Sequence, residues 1–389
     1  MKKIFVLLFL LTLSSFLYAS DFIETSDGAY LYLSHVSQMD MDYPYWKGIV
    51  FKGDNDGVII RFGSNLKETA KISIGGKSDD SLYSVCQCGN YYYIIGTALK
   101  GSIGTGDFKG LKSKGVRDSI LVKLDKNLKI VKCINFGTEG YNFPSEIVAD
   151  KNGDIYVVGR IFSDVEEGAQ QCAFIAKFTG DLKNKGFVKF RGSFSKPGDA
   201  YSTEFSSCII SDGKIIVCGS VGDGNNSLGI LAQYNKDLKL VSKKSIKEKY
   251  FVSLSSLKQN KNNYSVCGCA MKDDYPIGYY TLLDSDFDVL FSKTFVSYTI
   301  EKPEFPAYCY LPKVLKAAYV WGYGGLYKGN GDYDDEMYHQ FICDFSASNH
   351  KYLLPAHTVS SCITGKNEIV NVIFDGETDF YYLVKSKFK

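Results

Sequence analysis

Apolar positions along this chain come in short runs separated by clusters of Gly, Asn, Asp and Ser, and the runs resemble one another. One phrase recurs as YYYIIG (91–96), DIYVVG (154–159), KIIVCG (214–219), NYSVCG (263–268) and AAYVWG (317–322). A second follows it as VIIRF (58–62), ILVKL (120–124), FIAKF (174–178), ILAQY (230–234), YYTLL (279–283), QFICDF (340–345) and YYLVK (381–385). Aromatic and β-branched residues dominate, alternation or short continuous runs replace any 3.6-residue period, and hairpin chemistry bounds each run; the pattern predicts strands joined by tight turns. A further strand is expected behind each of these, as in KIVKCINFG (129–137) and DVLFSKTFV (288–296).

The runs belong to a repeat. Displaced by 62 residues, Asp21–Leu66 lies on Tyr83–Leu128 without a gap, loops included. Lys47 and Gly48 then meet Lys109 and Gly110, Gly53 meets Gly115, Asp56 meets Asp118 and Leu66 meets Leu128. Four antiparallel strands per unit, repeated, make the blades of a β-propeller. Units starting near residues 21, 83, 145, 206, 252, 307 and 360 predict an all-β, seven-bladed propeller occupying 20–389 as a single domain. The given sequence stops at Lys389 on the third strand of its last unit, and Asp21–Thr25 already serves as the first strand of blade one. That leaves the seventh blade with three strands, unless the ring closes in another way. Glycine closing the second strand is missing there too, with VNVIF (370–374) in its place.

Ahead of the repeat, Lys2 and Lys3 precede an apolar stretch from Ile4 to Leu11, and Leu17-Tyr18-Ala19 closes the segment. This is the layout of a secretory signal peptide, 1–19, and it predicts an extracytoplasmic, periplasmic or secreted product. The stretch is short for a membrane span, which needs roughly 20 apolar residues. Removal of Lys2 and Lys3 takes the formal net charge from +2 to zero, which argues against nucleic acid as a partner. There are 11 cysteines, all beyond the signal segment. Cys208, Cys218, Cys267, Cys343 and Cys362 fall where sister repeats carry Val, Ile or other apolar residues, so they read as small hydrophobes of the core. Cys86/Cys88 and Cys267/Cys269 are the pairs to watch for disulfides.

The string Asp118-Ser119-Ile120-Leu121-Val122-Lys123-Leu124-Asp125, then Asn127 and INFG, resembles the blade phrase of bacterial secreted β-propeller repeat proteins. The resemblance is clearest in the first three units. It implies an exported propeller and brings no catalytic residues with it. Asp118 and its counterpart Asp56 are expected to accept hydrogen bonds from loop backbone at the strand entrance.

Tight turns trim one end of the blades, whereas Ala98–Arg117, Arg191–Ser207, Ser297–Pro306 and Tyr323–Tyr338 are long connections gathered at the other. Function concentrates on such loops. Their aromatics, with Tyr45, Trp46, Tyr141, Tyr201, Tyr323 and Tyr333 foremost, offer flat apolar bodies with polar tips to a protein or glycan partner; equally, they can pin the loops to the blades. Asp332, Asp334, Asp335 and Glu336 share the loop GNGDYDDE (329–336), a donor set for Ca²⁺ at modest affinity or a solvated acidic tip, without EF-hand spacing. No other cofactor is expected. His35, His339, His350 and His357 form no HExxH pattern, and no GxSxG elbow is present. The sequence therefore predicts a monomeric, non-enzymatic binding or protein-interaction module acting through its long-loop face. The alternative is a propeller that binds or cleaves polysaccharide, as a hydrolase or lyase.

Overall fold

A computed structural model describes residues 21–37, 44–162, 171–193, 202–223, 226–246, 251–272, 275–295, 310–316, 319–324, 339–344, 351–353 and 358–386, except 365, 367 and 376–379. Over 310–353 it describes the course of the strands. The signal segment 1–19 lies outside these residues.

The chain is all-β and folds as propeller blades, each an antiparallel sheet whose strands lie side by side in chain order. Blade one comprises Phe22–Glu24, Tyr30–Ser37, Asn55–Phe62 and Glu68–Ile74. Blade two comprises Asp80–Cys88, Tyr91–Leu99, Arg117–Leu124 and Ile130–Phe136. Blade three is Tyr141–Ala149, Ile155–Phe162, Gln171–Phe178 and Asn184–Phe190. Blade four is Ser202–Ser211, Lys214–Gly222, Ser227–Tyr234 and Leu240–Ile246. Blade five is Phe251–Asn260, Asn263–Lys272, Tyr275–Leu283 and Val289–Phe295. Tyr310–Lys316, Tyr319–Gly324, His339–Asp344 and Lys351–Leu353 make a further four-stranded sheet. Thr358–Ile363, Ile369–Asp375 and Phe380–Ser386 make a three-stranded one, the strand number the repeat leaves for it. First strands begin a few residues earlier than the apolar pattern suggests in blades two to four, because Asp80, Asn142 and Thr203 are polar yet buried.

Two compact units divide the chain. The described residues up to Arg191, with Ser202–Phe205 and Val372–Lys385, form the first; most of Ser206–Asn371 forms the second. Within the first, each blade is apolar on both faces, which explains the continuous apolar runs of the middle strands. Alternate residues of blade two go to different layers. Tyr92 and Ile94 join Leu31, Leu33 and Ile59 of blade one, whereas Tyr93 and Ile95 join Ile147, Ile155 and Phe174 of blade three. In the second unit, Ile216, Cys218 and Leu231 of blade four pack with Val252, Leu254, Val266 and Phe287 of blade five. Outer strands are wetter: Val131, Leu240, Val241, Leu290 and Phe291 are exposed on them.

The third-to-fourth turns share an unusual device. Leu66, Leu128, Leu182, Leu238 and Phe287 all have left-handed backbone, with φ between 58° and 65°. Such a conformation costs a non-glycine residue roughly 1–2 kcal/mol. Each turn closes with two backbone bonds, as in Leu128 N to Asp125 O (3.1 Å) and Asp125 N to Lys129 O (3.0 Å). A side chain adds to them: Asp125 Oδ1 accepts from Asn127 N and Lys129 N, both at 2.9 Å. At Leu128, Leu182, Leu238 and Phe287 burial offsets the strain, these side chains being 2–5% exposed, whereas Leu66 is half-buried. The extra residue also produces the register shift seen at Lys123/Leu124 and its counterparts.

Glycine of the second strand does not end it; Gly96, Gly159 and Gly268 lie inside their strands, opposite irregularities of the first strand. A Cβ on Gly96 would stand 1.9 Å from Ser81 O, and on Gly268 1.9 Å from Ser253 O. Close backbone approach requires glycine here.

Candidate functional site

The 62-residue correspondence extends into hydrogen bonding at the long-loop end of the first unit. Asp118 Oδ2 accepts from Lys114 N (2.9 Å) and Asn135 Nδ2 (2.6 Å), and Oδ1 accepts from Gly115 N (2.8 Å). Asp56 Oδ2 accepts from Lys52 N at 2.9 Å, the equivalent bond. Asp56 and Asp118 are both fully buried, so their carboxylates staple the long loops to the third strands. Parallel one-residue bridges join neighbouring blades just before these points: Asn55 with Asp79, Arg117 with Tyr141, and Gln171 with Ser202.

Beside this seam, side chains from blades two, three and four meet in one cluster. Tyr141 and Phe143, two apart on the first strand of blade three, share a face, and their rings stack with centroids 6.4 Å apart at 4°. Phe162 meets Phe143 edge-on at 5.9 Å. Arg160 is the cross-strand partner of Phe143, and its guanidinium lies 5.4 Å from the ring centroid. Arg117, at the start of the third strand of blade two, approaches the same ring at 5.9 Å. Arg160 is buried and bonds Glu204 Oε2 at 2.8 Å. Arg117 donates to Thr97 Oγ1 (3.1 Å), and that hydroxyl also bonds the Tyr83 hydroxyl (2.9 Å). Tyr83, Arg117, Tyr141, Phe143, Phe162 and Glu204 are each half-buried, so rings and charged groups both reach solvent. The arrangement offers an aromatic face flanked by planar, five-donor guanidinium groups and one carboxylate.

Of the aromatics singled out in the sequence, Tyr141 belongs to this cluster. Tyr45 and Trp46 do not; they sit on a short 3₁₀ turn, Pro44–Trp46, and are 2% and 5% exposed. Tyr45 donates to Glu68 Oε2 at 2.8 Å, lies under the Lys71 ammonium (3.9 Å to the ring centroid) and meets Trp46 edge-on. These two rings anchor a loop and present no face to solvent. Tyr201, Tyr333 and the acidic loop Asp332, Asp334, Asp335 and Glu336 lie outside the described residues, as does the side chain of Tyr323. Among the described residues, no group of three or more His, Cys, Asp or Glu is placed to hold a metal ion. The sequence pointed to Tyr141 and passed over Arg117, Arg160 and Glu204. The i, i+2 aromatic pair with an Arg at its cross-strand position was the available signal.

Cys86, Cys88, Cys133 and Cys172 are free thiols, and Cys208, Cys218, Cys267 and Cys362 are buried. Burial pushes the Cys133 thiol up to about 12, with the nearby Asp107 and Asp80 carboxyls adding to it. Cys86 is pushed up further, chiefly by burial. No described helix is long and apolar enough to cross a membrane.

No protein-family model matches the sequence, and no curated protein matches it. Solved structures do. The β-propeller domain of the trilobed protease from Pyrococcus furiosus is 10% identical and matches over 94% of this chain and 92% of its own, with a TM-score of 0.51. The polysaccharide lyase Uly1 is 10% identical and matches over 94% of this chain and 88% of its own, with a TM-score of 0.50. At this identity the likeness is one of fold, and the fold is a β-propeller.

Proposed function

We propose that this chain is an extracytoplasmic β-propeller that recognises a polysaccharide, with the Tyr141–Phe143 face as the sugar platform. The observation that carries the reading is the half-buried aromatic pair flanked by Arg117 and Arg160 on adjoining blades. A pyranose ring lays its C–H face on an aromatic ring, and its hydroxyls or carboxylates take guanidinium N–H groups. Glu204 holds Arg160 in place, leaving Arg117 as the more accessible cation for a uronate carboxylate. Whole-chain similarity in fold to a polysaccharide lyase supports the same reading. The apolar segment behind Lys2 and Lys3 supports export, and the Asp118–Asn127 phrase supports kinship with bacterial secreted propeller repeats. A protein-interaction surface built on Tyr45 and Trp46 has less support, because both rings are buried.

The test is a panel of neutral and acidic polysaccharides run with purified protein in affinity gels and in depolymerisation assays. Retardation by at least one polysaccharide is expected. New reducing ends would make the protein a hydrolase, and unsaturated uronide absorbance would make it a lyase. Failure to retard or cleave any member of the panel would overturn the proposal.

A further inference from the structure

Two equivalent seams join blade one to two and blade two to three, and the buried side chains at their centres, Asp80 and Asn142, differ by one heavy atom. In the second, Asn142 is fully buried and its Nδ2 donates to the carbonyls of Arg117 (2.9 Å), Thr138 (2.9 Å) and Gly140 (3.3 Å). Its Oδ1 accepts from Thr138 N at 2.7 Å. In the first, the counterpart is Asp80, also buried, whose Oδ2 accepts from Gly76 N (2.6 Å) and Ser102 Oγ (2.9 Å). Asp80 Oδ1, standing where the amide nitrogen stands, has no hydrogen-bond partner.

The backbone beside the two side chains corresponds. A Cβ on Gly53 would meet Gly76 O and Ser78 O at 2.3 and 2.6 Å; on Gly115 it would meet Gly140 O and Thr138 O at 2.3 and 2.6 Å. Each side chain also lies against the glycine that follows the preceding fourth strand: a Cβ on Gly75 would stand 3.1 Å from Asp80 Oδ2, with Asp56 Oδ1 nearer at 2.2 Å, and a Cβ on Gly137 would stand 2.4 Å from Asn142 Oδ1. By the 62-residue register, the three carbonyls that Asn142 Nδ2 reaches correspond to those of Asn55, Gly76 and Ser78, all acceptors. An ionised carboxylate has four acceptor sites and no donor, and it fits nowhere in such a nest. A protonated carboxyl has the same shape as the amide and supplies the missing donor.

From this equivalence we propose that Asp80 is a neutral carboxylic acid in the folded protein, its Oδ1–H doing the work of the Asn142 amide, so that the blade one–two seam loosens on deprotonation. The charged groups around it are Asp56 on the third strand of blade one, Arg117 on the third strand of blade two, Asp107 and Lys52 on the flanking loops, and the Cys133 thiol on the fourth strand of blade two. Burial, with the Asp56 charge adding to it, moves the Asp80 carboxyl up to about 7, against the pull of the Gly76 and Ser102 bonds and of Arg117. In the unfolded chain it titrates near 3.9. Folding therefore retains a proton across that interval. The seam's contribution is complete below about pH 4, declines as pH rises toward 7, and is lost above it.

The experiment compares melting temperature against pH for wild type, Asp80→Asn and Asn142→Asp, with infrared difference spectra of wild type minus Asp80→Asn. Wild type should lose stability from about pH 4 to 7, Asp80→Asn should lose less over that range and melt higher than wild type at pH 8, and Asn142→Asp should steepen the loss. The difference spectrum at pH 5 should carry a protonated-carboxyl band that fades toward pH 8. If Asp80→Asn shows the wild-type pH slope, or the band is missing at pH 5, the proposal fails. It also fails if added Ca²⁺ raises the wild-type melting temperature and Asp80→Asn abolishes that rise, which would make the site a cation site. Should Asp80→Asn not fold, the Asn142→Asp profile and the wild-type spectrum decide alone.

Discussion

Replacing Leu128 separates backbone strain from burial, because the residue carries both. Its side chain is 2% exposed in the layer shared by blades one and two, and its φ is 63°. Leu128→Ala keeps the left-handed cost and removes the burial; truncations of this kind cost about 2–5 kcal/mol. Leu128→Gly loses the same contacts but relieves a strain of about 1–2 kcal/mol, less the roughly 0.5–1 kcal/mol that glycine adds to the entropy of the unfolded chain. The glycine variant should therefore be the more stable of the two, by about 0.5–1 kcal/mol. Leu124, fully buried at the end of the third strand immediately before the turn and without left-handed backbone, serves as the control, and there alanine should be the more stable. Urea unfolding followed by fluorescence of Trp46, buried in the same unit, reports both orders. If alanine outranks glycine at position 128 as it does at 124, the turn stores no such strain and the account of these five turns is wrong.

Other variants probe the packing and the thiols. Gly96→Ala would put a methyl 1.9 Å from Ser81 O and should cost more than about 3 kcal/mol or abolish soluble expression. Gly89→Ala, left-handed but with nothing within 4 Å, should cost about 1 kcal/mol, and thermal melting of the pair checks the contrast. Because burial raises the Cys86 and Cys133 thiols, few thiolates form below pH 9 and a thiol reagent should label the native protein slowly. In denaturant most of the 11 cysteines should react at once, and a count of one would reveal ten in disulfides.

Much of the fold was legible because a blade repeats its own local rules. The apolar middle strands, the polar turns and the 62-residue register are properties of single repeats, and the sheets follow them. What sequence patterns read poorly is contact between repeats. Asp80 and Asn142 look like loop residues because they are polar, yet both are buried where one blade meets the next. Tyr45 and Trp46 look accessible because they lie on a loop, but the loop folds Tyr45 under Lys71 and Glu68 and Trp46 against Tyr45 and Phe51. Phe143 needs Arg117 from the preceding blade to become part of a site, and Arg160 needs Glu204 from the following one. No spacing within one unit announces such partners.

Recognition of a polysaccharide at the Tyr141–Phe143 face is most directly tested by calorimetric titration of the best-retained polysaccharide into wild type, Phe143→Ala and Arg117→Gln, with Leu128→Gly as a control for general destabilisation. Phe143→Ala and Arg117→Gln should each weaken binding by tenfold or more, about 1.4 kcal/mol or above, while the control binds as wild type does. Unchanged affinity in both cluster variants would contradict the account.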